Sequence, residues 1–238
     1  MTWLWYVLAA IVAVLLLYWT VVVTEGTYLG TRAVVMMYDW TARRYNSIKK
    51  VRPIYEMYFL GAPLSERLPA REPRVLDVAT GTGRLPATLL DGAQHPAIVI
   101  GVDHSLAMLE EAVTALGSLD GQAVFVQGDA HRLMFKDNTF DAVTCLEALE
   151  FMRDPRAVVV EMMRVLKPGG SMLVTNRIGW EAWLFPGRYC RRGRLEALLS
   201  ELGMQDIDTH RWQVYYDLIW AVKPDSGQSR DERGIDEA

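Results

Sequence analysis

The sequence predicts an α/β protein, with a doubly wound, mostly parallel seven-stranded sheet, a C-terminal antiparallel hairpin and a transmembrane helix in front. Three observations lead there. Residues 3–23 are uncharged and almost wholly apolar; short apolar runs alternate with helical ones between residues 74 and 202; and two β-like runs follow with no helix between them. With 238 residues, 51% apolar and 23% charged, the chain can bury one sizeable domain plus an appendage, which excludes disordered and fibrous classes.

Trp3 to Val23 reads WLWYVLAAIVAVLLLYWTVVV, 21 residues that at about 1.5 Å per residue span a hydrocarbon core of roughly 30 Å. Trp3, Trp5 and Tyr6 stand at one end and Tyr18 and Trp19 toward the other, where amphipathic rings favour the headgroup layers. A secretory signal would show a basic start, a shorter apolar run and a small-residue cleavage site. Residues 1–24 therefore read as a retained single-pass anchor rather than a cleaved leader or a core helix. Arg32, Arg43, Arg44, Lys49, Lys50 and Arg52 follow the run and no Lys or Arg precedes it, so the positive-inside bias puts the folded domain in the cytoplasm. The same cations can lie against anionic headgroups or line a solvated helix face.

Residues 25–73 read as a juxtamembrane helix, Thr27 to Lys50, and a connector punctuated by Gly61, Pro63, Pro69 and Pro73. The domain proper is residues 74–222. Its strands are expected at Arg74 to Ala79, Ala97 to Val102, Ala123 to Gln127, Phe140 to Leu146 and Ser171 to Thr175, with helices at Leu85 to Leu90, Ser105 to Leu116, Asp154 to Leu166 and Arg192 to Leu202. Lys167 to Gly170 read as a tight turn into the fifth strand, and Asp206 to Trp212 with Tyr216 to Val222 as the terminal pair. Residues 223–238 are polar with little to bury and read as a disordered tail.

Residues 75–238 hold 16 basic and 24 acidic side chains, a net charge of −8, which argues against duplex nucleic acid as a partner. Cys145 and Cys190 lie far apart, and His95, His104, His131 and His210 are scattered, so neither a disulfide framework nor a metal site is expected.

The most informative segment is VLDVATGTGRLP, residues 75–86, an apolar strand running into a glycine turn and a helix. Gly81 and Gly83 allow a sharp turn and a close ligand approach. Twenty residues after Gly83 comes Asp103, a carboxylate able to accept from both hydroxyls of a ribose at the carboxyl ends of the strands. A dinucleotide fingerprint would need a third glycine where Pro86 stands, and no Gly-Lys-Ser/Thr follows for a Walker loop. What fits a glycine loop behind a strand carrying Asp77 is a ligand with adenosine and an amino acid but no pyrophosphate, S-adenosylmethionine.

At this point the chain resembles the class I S-adenosylmethionine-dependent methyltransferases, a Rossmann-like family, and within them the type 11 group around the ubiquinone/menaquinone C-methyltransferases. The resemblance covers roughly Tyr38 to Ile178. VLDVATGTGRL is similar to the family's first motif, with Ala79 where Gly is frequent; Asp77, Ala79, Thr80, Gly81 and Gly83 are the implied cofactor residues there. Asp103 corresponds to the ribose-binding acid, with His104 and Met108 implied beside it. Gly128-Asp129-Ala130 resembles the adenine segment, and the run from Phe140 to Cys145 and Leu146 resembles the strand lining the methionine end. Arg164 to Gly170 is similar to the family's turn before strand five, and Tyr38 to Asn46 to its helix that closes over the cofactor.

Methyl transfer is an in-line displacement that asks the protein mainly to align two atoms within about 3 to 3.5 Å and exclude water. A base is needed only for some acceptors. Glu147 and Glu150, beyond the fourth strand, and His210 are the candidates by topology, but the family often carries histidines at the positions of Glu150 and Phe151, and no base is assigned. Tethering favours membrane-resident acceptors. Residues 176–190, with Trp180, Trp183, Leu184, Phe185, Pro186 and Tyr189, lie where this fold inserts its substrate cover, which suits a lipidic acceptor such as a quinone, phospholipid or isoprenoid; the same stretch also reads as ordinary core or as a surface resting on the membrane. The alternatives are a catalytically silent, membrane-tethered binding module and a nucleotide-dependent oxidoreductase that would bind NAD.

Overall fold

The computed structural model describes residues 2–49, 52–91, 97–117 and 122–225. Lys50, His95 and residues 226–238 of the expected tail lie outside the described residues.

The seven strands are β1 (Arg74–Val78), β2 (Ile98–Asp103), β3 (Ala123–Gln127), β4 (Phe140–Cys145), β5 (Leu166–Arg177), β6 (Gln205–Gln213) and β7 (Tyr216–Val222), in the order β3-β2-β1-β4-β5-β7-β6. β1 to β5 run parallel; β7 lies antiparallel between β5 and β6. In β1, Val75, Leu76 and Val78 are fully buried, because helices cover both faces of the sheet. One apolar layer joins Leu76, Val78 and Val143 to Val158, Met162 and Leu198 of α7 (Pro155–Val165) and α8 (Arg194–Glu201). The other joins Val75, Val99 and Leu173 to Leu85 and Leu89 of α5 (Arg84–Asp91). α6 (Leu106–Leu116) starts where Ser105 Oγ accepts from Met108 N, and α7 where Asp154 accepts from Ala157 N ahead of Pro155.

Three elements precede the sheet. α1 (Thr2–Tyr18) continues through a π-helical turn, Trp19–Val23, giving 22 residues long and apolar enough to cross a membrane, none of them buried. α2 (Thr31–Lys49) follows a short 3-10 turn. The connector then departs from expectation. Pro53–Glu56 (α3), a π turn at Met57–Gly61 and Ala62–Glu66 (α4) form one continuous helical stretch. Gly61 and Pro63 do not break it, because Leu60 and Leu64 are fully buried on the sheet layer of α5 and the π turn falls just before the proline that lacks an N–H.

A second departure concerns Lys167 to Gly170. Leu166 already pairs with Phe140, and Ser171 pairs with Ala142, so four residues bulge against one inside β5 instead of preceding it. Gly169 turns there with φ +72, donating its N–H to Lys223 O at 2.8 Å, while Lys223 N donates to Gly170 O at 3.0 Å. The other strands agree with the sequence reading to within a residue or two.

β1 and β4 are neighbours from which successive strands depart in opposite directions, so the loops after them part and leave a crevice at their carboxyl ends. Asp77 ties the two strands together from within. Its buried carboxylate accepts from Thr144 Oγ1 of β4 at 2.6 Å and from Thr80 Oγ1 at 2.7 Å. Burial pushes its pKa from 3.8 up to about 6 against the pull of the two hydroxyls. The native state therefore holds this proton more tightly than the unfolded chain between about pH 4 and pH 6, and the group weakens folding as pH rises through that window and stays destabilising above it.

Asp77→Asn is expected to exceed the parent in stability at pH 8 by on the order of 2 to 3 kcal/mol, with the gap closing below about pH 4. Melting curves across that range decide it; equal stability at pH 8 refutes the assignment. Gly83 has φ +77, and a Cβ there would sit 2.6 Å from Leu116 Cδ1 and 3.2 Å from Ala112 Cβ of α6. Gly83→Ala should cost about 1 to 3 kcal/mol in urea unfolding.

Candidate active site

The crevice is an open cleft walled by the ends of four strands and roofed by α2. Ala79 and Gly81 come from the loop after β1, Asp103 to Ser105 from the end of β2, Gly128 to His131 from beyond β3, and Leu146 to Ala148 from beyond β4. Thr31, Val34, Val35, Tyr38 and Tyr45 form the roof, with Phe151 beneath; Tyr38 packs against Tyr45 and edge-on against Phe151. Burial, with Glu25 beside it, pushes the Tyr38 phenol well above its ordinary value. The roof is fastened where Ser105 Oγ donates to Asp39 Oδ1 at 2.5 Å while still accepting from Met108 N.

The loop after β1 is held open by its own backbone. Ala79 and Gly81 take φ of +56 and +55, Thr80 N donates to Val102 O at 3.0 Å, and Gly81 N donates to Asp103 Oδ2 at 2.8 Å. Ser105 N donates to the other oxygen of Asp103 at 2.9 Å. Burial raises the Asp103 pKa, and these backbone donors work against the rise. Each carboxylate oxygen has a second acceptor site, so a vicinal diol can bind both. A Cβ on Gly81 would meet nothing within 4 Å: the missing side chain leaves open space for a ligand. The residues present thus fit an adenosine-bearing cofactor.

Asp129 occupies the far wall. Its Oδ1 accepts from His131 N at 2.9 Å and lies 2.8 Å from His131 Nδ1, while His131 Nε2 lies 3.2 Å from Asp154 N. Since Nε2 accepts from that N–H, Nδ1 carries the proton and donates it to Asp129. Burial raises the Asp129 pKa, but the hydrogen bonds from His131 outweigh it and hold the carboxyl below its usual range.

Of the sequence candidates, Ala79, Gly81, Asp103, His104, Asp129, Ala130, Leu146 and Glu147 stand together on the wall. Asp77, Thr80, Gly83, Met108 and Cys145 lie behind it: Met108 and Cys145 are buried in the core, and Gly83 packs under α6. Glu150 is also set back, its Oε1 accepting from Arg177 Nε at 3.0 Å and from the Tyr216 hydroxyl at 2.5 Å. His210 is on β6, exposed, 2.7 Å from Asp208, beside a shallow hollow with Tyr58 and Phe59. Among the described residues no cluster of His, Cys, Asp and Glu is placed to hold a metal ion.

Sequence reasoning missed Arg84. Its guanidinium donates to both oxygens of Glu56 at 2.9 Å and to Glu147 Oε1 at 2.7 Å, and lies 4.8 Å above the Trp212 ring. Gln213 Nε2 donates to the same Glu147 oxygen at 3.1 Å. Glu147 is thereby fixed on the wall in left-handed backbone, φ +50. Arg177 was missed too; it joins Glu150 and Glu181 under the rings of Phe151, Phe185 and Tyr216.

Residues 76–174 match a family model described as a methyltransferase domain. The chain is 41% identical over 103 residues to a demethylmenaquinone methyltransferase of Renibacterium salmoninarum, covering 43% of this chain and 40% of that one. It is 36% identical over 144 residues to the demethylmenaquinone methyltransferase of Deinococcus radiodurans, covering 60% and 59%. The ubiquinone/menaquinone biosynthesis C-methyltransferase of a Marinomonas species is 33% identical over 141 residues, covering 58% and 56%. The chain spans between 40% and 59% of the length of these curated relatives. Among solved structures, the cyclase SpnF superposes with a TM-score of 0.67 at 20% identity over 81% of this chain and 96% of that one. An Aquifex aeolicus S-adenosylmethionine-dependent methyltransferase does so with 0.57 at 18% over 74% and 96%. These structures share the fold. Residues 76–174 thus match a methyltransferase domain, and over about half its length the chain is similar to demethylmenaquinone and ubiquinone/menaquinone C-methyltransferases.

Proposed function

We propose that this chain methylates a quinone-type, membrane-resident acceptor while α1 holds it on the bilayer with its catalytic domain in the cytoplasm. The observation that carries the methyltransferase reading is the joining of Gly81, Asp103 and Asp129 around one cleft, with two Asp103 oxygens aimed by backbone N–H groups. The names of the relatives support a quinone as acceptor.

S-adenosylmethionine supplies a methyl group made electrophilic by its sulfonium. The protein's own part is positional: Asp103 takes the ribose hydroxyls, Asp129 the adenine amine, and Ala79 and Leu146 the apolar flank toward the methyl end. α2 roofs the cleft and keeps water out. Glu147 is the carboxylate nearest that end, positioned by Arg84 and Gln213 to orient an acceptor hydroxyl.

Retention of α1 is supported by contacts at its end. Trp19 Nε1 donates to Leu184 O at 3.2 Å, and the Trp19 ring stacks on Tyr28 at 5.1 Å, so the helix is packed into the domain it carries. The cations that follow α1 support the cytoplasmic side.

Full-chain protein in vesicles, given methyl-labelled donor and a demethylated naphthoquinol, should label the quinone fraction; label confined to protein or none at all refutes the acceptor. Asp103→Ala should weaken donor binding about 10 to 100-fold by calorimetry, the loss of one or two hydrogen bonds to a charged group. Unchanged affinity in a variant that melts normally removes Asp103 from the site. Alkaline carbonate should leave the chain in the membrane pellet, and release into the supernatant refutes the anchor.

A further inference from the structure

We infer that the segment Trp180 to Arg191, which packs behind Phe151 at the edge of the cleft, is a second membrane contact that seats in the headgroup layer of an anionic leaflet. This rests on the anchor reading of α1 above.

The first argument is level. Trp19 lies within the apolar helix, four residues before its end at Val23, or about 6 Å along the axis. Its indole donates to Leu184 O, and the stacked Tyr28 donates its hydroxyl to Pro186 O at 2.7 Å. A headgroup layer is roughly 5 to 7 Å deep on each side of the hydrocarbon. A helix that spans the bilayer therefore carries residues 184–186 into that layer with it.

The second argument is chemistry. Trp180 and Trp183 just precede this point and are 63% and 67% exposed, Trp180 meeting Tyr215 edge-on and leaving most of its ring free. The Arg191 guanidinium lies 3.4 Å above the Trp183 ring, and Arg188 lies 5.4 Å above Tyr28. Tryptophan beside arginine is the pairing that a headgroup layer accommodates, the ring in the amphipathic zone and the cation at the phosphates. The third is charge: Arg188 and Arg191 are the cations of this segment, and its one acid, Glu181, is paired with Arg177, on a body of residues 75–238 that sums to −8. These two cations give an anionic surface a point of attraction on an acidic body.

The same segment reaches the cleft. Phe185, Ala182 and Cys190 form a buried cluster with Phe151, against which Val34 and Leu184 pack, and Phe151 and Val34 are cleft residues. The contact between α2 and this segment is thus apolar and reaches the edge of the cleft at Phe151 and Val34.

The test uses full-length protein with Trp183→Cys carrying an environment-sensitive fluorophore; Cys145 and Cys190 are buried and stay unlabelled in the native fold. Ser200→Cys on exposed α8 is the reference, and Trp180→Cys repeats the measurement should the first variant fold poorly. In phosphatidylcholine vesicles containing phosphatidylglycerol, emission from positions 183 and 180 should shift to the blue and be quenched by a headgroup-level lipid quencher, with position 200 unaffected. Loss of the anionic lipid or high salt should weaken the quenching. Emission at 183 and 180 matching that at 200, in protein that resists carbonate extraction, overturns the inference and leaves the anchor standing. Extraction by carbonate overturns both.

Discussion

One guanidinium holds the cleft together. Arg84 begins the helix after the glycine loop, yet its partners come from α3, from the segment beyond β4 and from β6. It is largely buried, and the coulombic pull of Glu147 with the hydrogen bonds of Glu56 lifts its pKa against the cost of burial. A buried ion pair of this kind contributes little net stability over an apolar substitute, but stranding either charge typically costs about 3 to 5 kcal/mol. The network is therefore stringent: it ties the segment ahead of the sheet, the loop beyond β4 and the terminal hairpin to one another. Asp77 does the same on a smaller scale for β1 and β4, with hydroxyl partners in place of a cation.

Much of this was legible in the chain. Strands buried on both faces announce themselves as apolar runs, and the crevice that brings Gly81, Asp103 and Asp129 together follows from their order. Local signals failed where distant contacts outweighed them. Gly61 and Pro63 look like breakers, but Leu60 and Leu64 face a waiting apolar layer and the helix persists. Arg84 lies 28 residues from Glu56 and 63 from Glu147, and nothing in its neighbourhood indicates either partner. Asp77 was assigned to the cofactor from its place in the motif, whereas its carboxylate turns inward to two threonines. His131, two residues after Asp129, was within reach of sequence reasoning as a short-range partner of that acid.

The sheet and its crevice narrow the cofactor more than they narrow the reaction. A cyclase superposes on this chain as well as methyltransferases do, so the architecture alone does not choose the chemistry. At the edges of the sheet lie the apolar helix in front, the roof that follows it after a short turn, and the segment Trp180 to Arg191 with its exposed tryptophans. α2 is joined to α1 through Thr24 to Gly30, in which Gly26 and Gly30 both take left-handed φ, so the roof of the cleft is rooted in the apolar segment.

Ala79 shows how narrow the margins are at such a site. It adopts φ +56, a region that an L residue with a side chain enters only at an expense on the order of 1 kcal/mol. Glycine would escape that penalty. Ala79 lines the cleft, so this protein carries a standing backbone strain at the wall where a ligand would lie. A single carbon atom is what separates that strained wall from a relaxed one.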